Sequence, residues 1–438
     1  MLTFRQLLRQ NRNYRRIWLG QVVSEIGDHF NNIAVFSLAL ETTRSGLVVS
    51  WIMISRAIPA ILAGPMAGVI LDRLDRKRIM IASDLVRAAL ALGFLLYHRP
   101  QDTWLLYLFS GLLMFASPFF TSGRSSILPT VTTPEELHTA NALTQTTQYA
   151  TLTAGTLLAG GIVAQFGYSR AFLFNAFSFL ASAWAVSLLH LEKGEFRAQR
   201  APQAASRQAL TEADVVRPWH EYLEGLRYVR SVPLVLGILL SGVGWATGGG
   251  AAQILFSVFG ALVFHRGPAG IGTIWGFAGI GLLLGGTLAH TMAKRLSFEG
   301  YKKTILVCFL LHGGFYVVFS QMRVFVFALA AILLSRLVIA TSSVLNFSQL
   351  LHTVPDQFRG RVFATLETMV WSMMMVSMML AGIGSQYYSP RTIGTIAGVL
   401  SSSTGLFWAW AHFTGRLPEP APQGVAAEEV EIHGEAVV

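Results

Sequence analysis

Twelve apolar stretches of about 20 residues each, separated by short polar connections, leave this chain few folds to choose from. In hydrocarbon every backbone N–H and C=O needs an internal partner, so stretches of this length become helices. They lie near Tyr14–Leu40, Leu47–Leu71, Ile79–Tyr97, Trp104–Ile127, Ala140–Phe166 and Ala171–Leu191, then near Val232–Phe264, Ala269–Ala293, Thr304–Ser320, Val324–Leu351, Val362–Tyr387 and Thr392–Thr414. Charged residues are 13% of the chain, about half the share of an ordinary soluble domain, so a water-facing surface is not on offer. The expected fold class is an all-α polytopic membrane protein with twelve transmembrane helices in two pseudo-symmetric six-helix halves.

The basic residues give the threading. With the first residues placed inside and the connections counted alternately, 24 of the 33 Lys and Arg fall on the inside, from Arg5, Arg9, Arg12, Arg15 and Arg16 through to Arg416. Only Arg44, Arg99, Arg170, Arg266, Arg323 and Arg391 fall outside, one per connection. That bias places both termini in the cytoplasm. The net charge of +10 therefore follows topology and anionic lipid, and nucleic acid is not an expected partner. No cleavable signal peptide is expected, because the first apolar run is too long for one.

The chain divides into residues 1–191, a polar linker at 192–231, residues 232–415, and a tail at 416–438 whose Pro, Ala and Glu content reads as disordered. Within the linker, Pro218–Arg230 reads as an amphipathic helix with Trp219, Tyr222, Leu223, Leu226 and Val229 on one side. The two long segments echo each other. Ser24 and Gly27 correspond to Ser241 and Gly244, Ala67 and Gly68 to Gly285 and Gly286, and Pro134 to Pro355, at offsets of about 217 to 221 residues. Parallel repeats of this kind describe a transporter whose halves rock about a substrate near midplane.

Buried ionisable groups mark pathways. Glu25, Asp28 and Asn32 share one face of the first span, joined by Gln21. Two carboxylates this close repel when both are charged, and an acid that takes up and gives back a proton is what a proton-coupled antiporter needs. Arg56 in the second span needs an acceptor, for which Asp28 is the candidate. Arg336 and Glu367 are expected to pair across the second half or to meet substrate. His29 reads as a packing contact. Cys308, the single cysteine, excludes an internal disulfide. No hydrolase triad, zinc site or phosphate loop is present in the sequence. A non-enzymatic carrier without metal or cofactor, driven by an ion gradient and working as a monomer, is expected.

Gly68, Asp72, Arg73, Asp75, Arg76, Lys77 and Arg78 form the loop after the second span. This resembles the signature loop of the major facilitator superfamily, except that Asp75 stands where the general motif has Gly. The resemblance implies a cytoplasmic latch: a small residue for close helix approach, an Asp against a helix N-terminus, and basic residues on carboxylates or lipid phosphate. Further segments narrow it. They are Arg16 to Asp28, Ser83 to Arg87 with Asp84, Arg124 to Leu143, Glu224 to Tyr228, and Val354 to Val362. Together they are similar to the branch that holds enterobactin exporters and macrolide efflux pumps. Ser122 and Gly123 depart from that branch's usual Pro-Ala, and the fourth span lacks the deep Arg of many antiporters. Asp84, Arg87 and Arg124 are expected to serve the gate. The resemblance implies export of an amphipathic small molecule coupled to protons. A lysophospholipid or metabolite uptake carrier of the same fold, or a non-transporting scaffold or sensor, are the alternatives.

Overall fold

The structure is a computed structural model that describes residues 2–190, 218–293 and 295–419, with backbone only for 218–224, 356 and 357. Residues 192–217 of the linker, residues 420–438 of the tail and the side chains of Trp219, Tyr222 and Leu223 lie outside the described residues.

All regular structure among the described residues is helical. The helices are α1 (Phe4–Gln10), α2 (Arg12–Thr43), α3 (Gly46–Arg73), α4 (Arg76–Gly93), α5 (Thr103–Val131), α6 (Pro134–Phe166), α7 (Tyr168–Ser187), α8 (Pro218–Ser231), α9 (Pro233–Val258), α10 (Gly267–Ala293), α11 (Phe298–Gln321), α12 (Phe325–Thr353), α13 (Asp356–Gly384) and α14 (Pro390–Phe413). All except the short α1 and α8 are long enough to span a bilayer. Nine of the long helices are also apolar enough, while α2, α7 and α14 are more polar. The ends follow local sequence. Asn11 caps α2 through Tyr14 N at 2.8 Å. Thr133 and Glu136 close a reciprocal capping box on α6, with Pro134 in its first turn. Asp75 caps α4 by accepting from Arg78 N at 3.0 Å. One helix was not read from the sequence: α1, whose signal is the Thr3–Gln6 capping box.

The chain divides into two compact units, the first comprising residues 1–207, 253–280 and 378–393, the second 208–252, 281–377 and 394–438. In the first, α2 is the central strut and packs against α6 and α7, while α3 packs on α5, and α4 on both α5 and α7. Small residues let α2 lie close to α7: a Cβ at Gly27 would meet Asn175 and Ser178 at 2.7 Å. Near the basic loop, Leu7, Tyr14, Ile17, Met80, Ile127 and Leu128 form an apolar cluster that α1 joins through Leu7. Toward the far end, α6 meets α10. A Cβ on Gly160 would lie 2.9 Å from Gly272 Cα, Gly276 packs on Leu157, and Gly279 on Thr153. On α3, Ser50 packs against Gly382 of α13. By contrast, a Cβ at Gly64 or Gly68, nearer the basic loop, meets nothing within 4 Å.

The second unit centres on a cluster that includes Leu234, Ile238, Tyr301, Ile305, Ile339, Trp408 and Leu417. The Trp408 indole is edge-on to Tyr301 and donates to Lys302 O at 2.9 Å. Helix α8 is attached here: Val229 is buried, and the Tyr228 ring stacks on Phe358 at 4.7 Å.

Candidate functional site

The first unit gathers three acids and three arginines in its interior, from α2, α3, α4 and α5. Their charges cancel, which is what a low-dielectric interior demands of ionised groups.

Glu25 is the best-held acid. Its Oε1 accepts from Gln21 Nε2 at 2.8 Å and its Oε2 from Thr151 Oγ1 of α6 at 2.7 Å. Arg124 Nη1 lies 3.5 Å from Oε1. The α2–α6 seam continues this polar ladder, with Trp18 Nε1 donating to Thr147 Oγ1 at 2.8 Å and Tyr14 Oη to Ala140 O at 2.9 Å. Arg124 is only 8% exposed and lies inside α5, nearly two turns before its end. The resemblance assigns it to the gate; here it partners an acid of the first span.

Asp28 is half-buried one turn further along α2. Among the described residues it has no hydrogen bond or ion pair. The charges that act on it from a distance are those of Arg87, Arg56, Glu25 and Asp84. The expected Asp28–Arg56 pair does not form. Arg56 donates to Asn32 Oδ1 at 2.6 Å instead, with Phe36 beneath the guanidinium at 5.9 Å. Asn32 lies one turn beyond Asp28 on the same face, so the shared-face reading brought Arg56 to the right stripe and the wrong member of it. The His29 ring packs on Gly155 of α6.

Asp84 and Arg87 pair with each other on α4 and are 0% and 3% exposed. The Arg87 guanidinium is held between the rings of Phe120 at 4.6 Å and Phe179 at 4.4 Å. They sit in the interior of the unit, two to three turns along α4 from its start at Arg76.

The loop itself is built differently from the latch expected of it. Arg76 donates to Ser126 O and Lys77 to Leu189 O, each at 2.8 Å, so these charges serve carbonyls near the ends of α5 and α7. Asp72 and Arg73 are exposed, as is the space over Gly68. Arg336 is buried on α12 and acts on His312 and Tyr316. Glu367 is instead exposed on the wall of a separate cavity, so the Arg336–Glu367 pair is not made. No cluster of metal-ligating side chains occurs among the described residues.

The Major Facilitator Superfamily model matches residues 17–374. The chain belongs to that superfamily. Among curated superfamily members, YfiS of Bacillus subtilis, an MFS-type transporter of uncharacterised role, is 27% identical over 236 residues, which is 54% of this chain and 53% of YfiS. The chain thus matches about half the length of that relative. Macrolide efflux protein A of Streptococcus pyogenes is 24% identical over 294 residues, 66% of this chain and 68% of the relative. Among solved structures, a bacterial homologue of the iron transporter ferroportin in an inward-facing state aligns with a TM-score of 0.67 at 16% identity, over 91% of this chain and 98% of that one. The superfamily fold is therefore shared.

Proposed function

We propose that this transporter is a proton-coupled exporter of an amphipathic small molecule, working by alternating access. In this reading the halves at residues 1–191 and 232–415 rock about the substrate, and the basic loop faces the cytoplasm with both termini. The protein acts as a monomer in the bacterial inner membrane. Asp28 carries the proposal: it is a carboxylate inside the bundle without a direct partner, one turn from the Glu25–Arg124 pair. An acid so placed gains and loses a proton without breaking an ion pair of its own, while Glu25 stays compensated. Protonation removes one negative charge from a set of groups that is otherwise balanced, and this is the change that biases one conformation over another. The efflux activity in the name of the Streptococcus pyogenes relative supports the outward direction.

The test is substrate-driven proton movement in proteoliposomes with a pH-sensitive dye inside. Wild type is expected to dissipate an imposed proton gradient when substrate is added. Asp28→Asn is expected to bind substrate and move no protons. Full proton movement by the folded Asp28→Asn protein would remove Asp28 from the coupling role.

A further inference from the structure

The second unit holds a cavity of about 240 Å³ between α9, α11, α12 and α13. Trp245, Phe309, Phe347 and Trp371 bring aromatic rings to its wall. Glu367 is the one ionisable residue among the described residues that line it. Three observations bear on what such a cavity takes.

The first is charge. A carboxylate on an otherwise uncharged wall attracts a cation and repels an anion, with no lysine, arginine or histidine of the wall to offset it. Aromatic faces around it act in the same sense, since their quadrupoles also favour cations. The second is a pair of unspent donors. The Trp245 indole Nε1 is buried and makes no hydrogen bond among the described residues. Asn346 is oriented by Tyr301, whose hydroxyl donates to Asn346 Oδ1 at 2.7 Å, which leaves the amide N–H groups for the cavity. A buried donor without a partner is costly unless a ligand supplies the acceptor. The third is size. The cavity is smaller than the roughly 300–1,000 Å³ typical of sites that enclose a whole drug-sized ligand. It suits an ammonium group and one ring, with the rest of the molecule outside.

We infer that this cavity is a substrate subsite for organic cations, holding an alkylammonium against Glu367, an apolar or aromatic body against the rings, and an acceptor oxygen on Trp245 or Asn346. The inference rests on the reading of the chain as an exporter of amphipathic molecules and names their class.

The test uses tetracaine, an aminobenzoate ester with a tertiary ammonium on its alcohol side, and its neutral isostere, the 3-methylbutyl ester in which CH replaces the ammonium nitrogen. Equilibrium binding of each is measured on the full chain in lipid nanodiscs at neutral pH, without a gradient. Wild type is expected to bind the cation about tenfold more tightly than the isostere. Glu367→Gln is expected to erase that preference while the isostere binds as before. Ser343→Lys, which sets a positive charge on the same wall, is expected to repel the cation and spare the isostere. Equal binding of the two esters by wild type overturns the inference, as does a preference that survives in Glu367→Gln. Binding without a gradient keeps this separate from the coupling reading. Charge-selective binding in a protein that moves no protons overturns the coupling and leaves the subsite. Proton movement with charge-blind binding does the reverse.

Discussion

Arg124 of α5 lies 3.5 Å from Glu25 of α2, both mostly buried, and this contact ties the acid stripe of the first span to the fourth. Removing one member strands the other. Arg124→Met is expected to cost on the order of 3 kcal/mol, because the remaining carboxylate is left without its charge partner. Glu25→Gln together with Arg124→Met should recover most of that loss, since neither charge is then stranded. Thermal unfolding of the four proteins in one detergent measures the coupling. A double variant as unstable as the sum of the two singles would show that the pair contributes nothing.

The α6–α10 seam makes a second prediction. A Cβ at position 279 would lie 3.2 Å from Thr153 Cβ, just under the usual span across a disulfide. Thr153→Cys with Gly279→Cys, in a background where the lone native thiol is removed by Cys308→Ser, is expected to form that bond under mild oxidant. If the seam parts during transport, the oxidised protein is inactive and reductant restores it. Turnover that continues in fully cross-linked protein would mean that this seam stays shut throughout the cycle.

The long helices were legible because hydrocarbon leaves apolar runs one backbone solution. The span read at Leu47–Leu71 is α3 at Gly46–Arg73, and the amphipathic segment read at Pro218–Arg230 is α8 at Pro218–Ser231. The acid stripe on α2 was legible too, since helical period alone puts Glu25, Asp28 and Asn32 on one side. Its partners were not. The resemblance assigned Arg124 to the gate, and period says nothing about which other helix a side chain will meet. The same limit applies to Arg56: charge complementarity favoured Asp28, while side-chain reach from α3 favoured Asn32. Asp84 and Arg87 were read as gate residues, yet they lie eight and eleven residues beyond Arg76, and at 1.5 Å per residue roughly 12 and 17 Å of helix carries them well into the bundle. Two of the loop's charges, Arg76 and Lys77, went to the carbonyls of Ser126 and Leu189, which no sequence pattern marks as acceptors.

Arg87 gives a third prediction. Its planar guanidinium contacts Asp84 while Phe120 and Phe179 cover it. A lysine keeps the charge but loses the flat faces that the rings cover. Arg87→Lys is expected to lower stability by roughly 2 kcal/mol despite conserving charge. Arg87→Met with Asp84→Asn should be milder, because no unpaired charge is left behind. Unfolding temperatures that rank Arg87→Lys level with wild type would show that the rings add nothing to the pair.

Among the described residues, α8 is attached to the second unit through Gly225, Tyr228 and Val229, which makes the attachment testable by small changes. Tyr228 stacks on Phe358 with the planes 10° apart and its hydroxyl donates to Thr353 O at 3.3 Å, while Val229 is buried in the cluster below. Gly225 lies so close to α13 that a Cβ there would be 2.9 Å from Arg361 Cβ. That contact is side chain against the root of a side chain, so it has little room to give. Gly225→Leu should therefore lift α8 away from α13, whereas Tyr228→Phe should cost only the hydroxyl's hydrogen bond, about 1 kcal/mol. Limited proteolysis reads the difference: cleavage within α8 should accelerate strongly in Gly225→Leu and little in Tyr228→Phe. Because the predicted loss is local, the unfolding temperature of the rest of the second unit should change less than the cleavage rate. Equal cleavage in all three proteins would mean that α8 holds its place through the apolar face around Val229 alone.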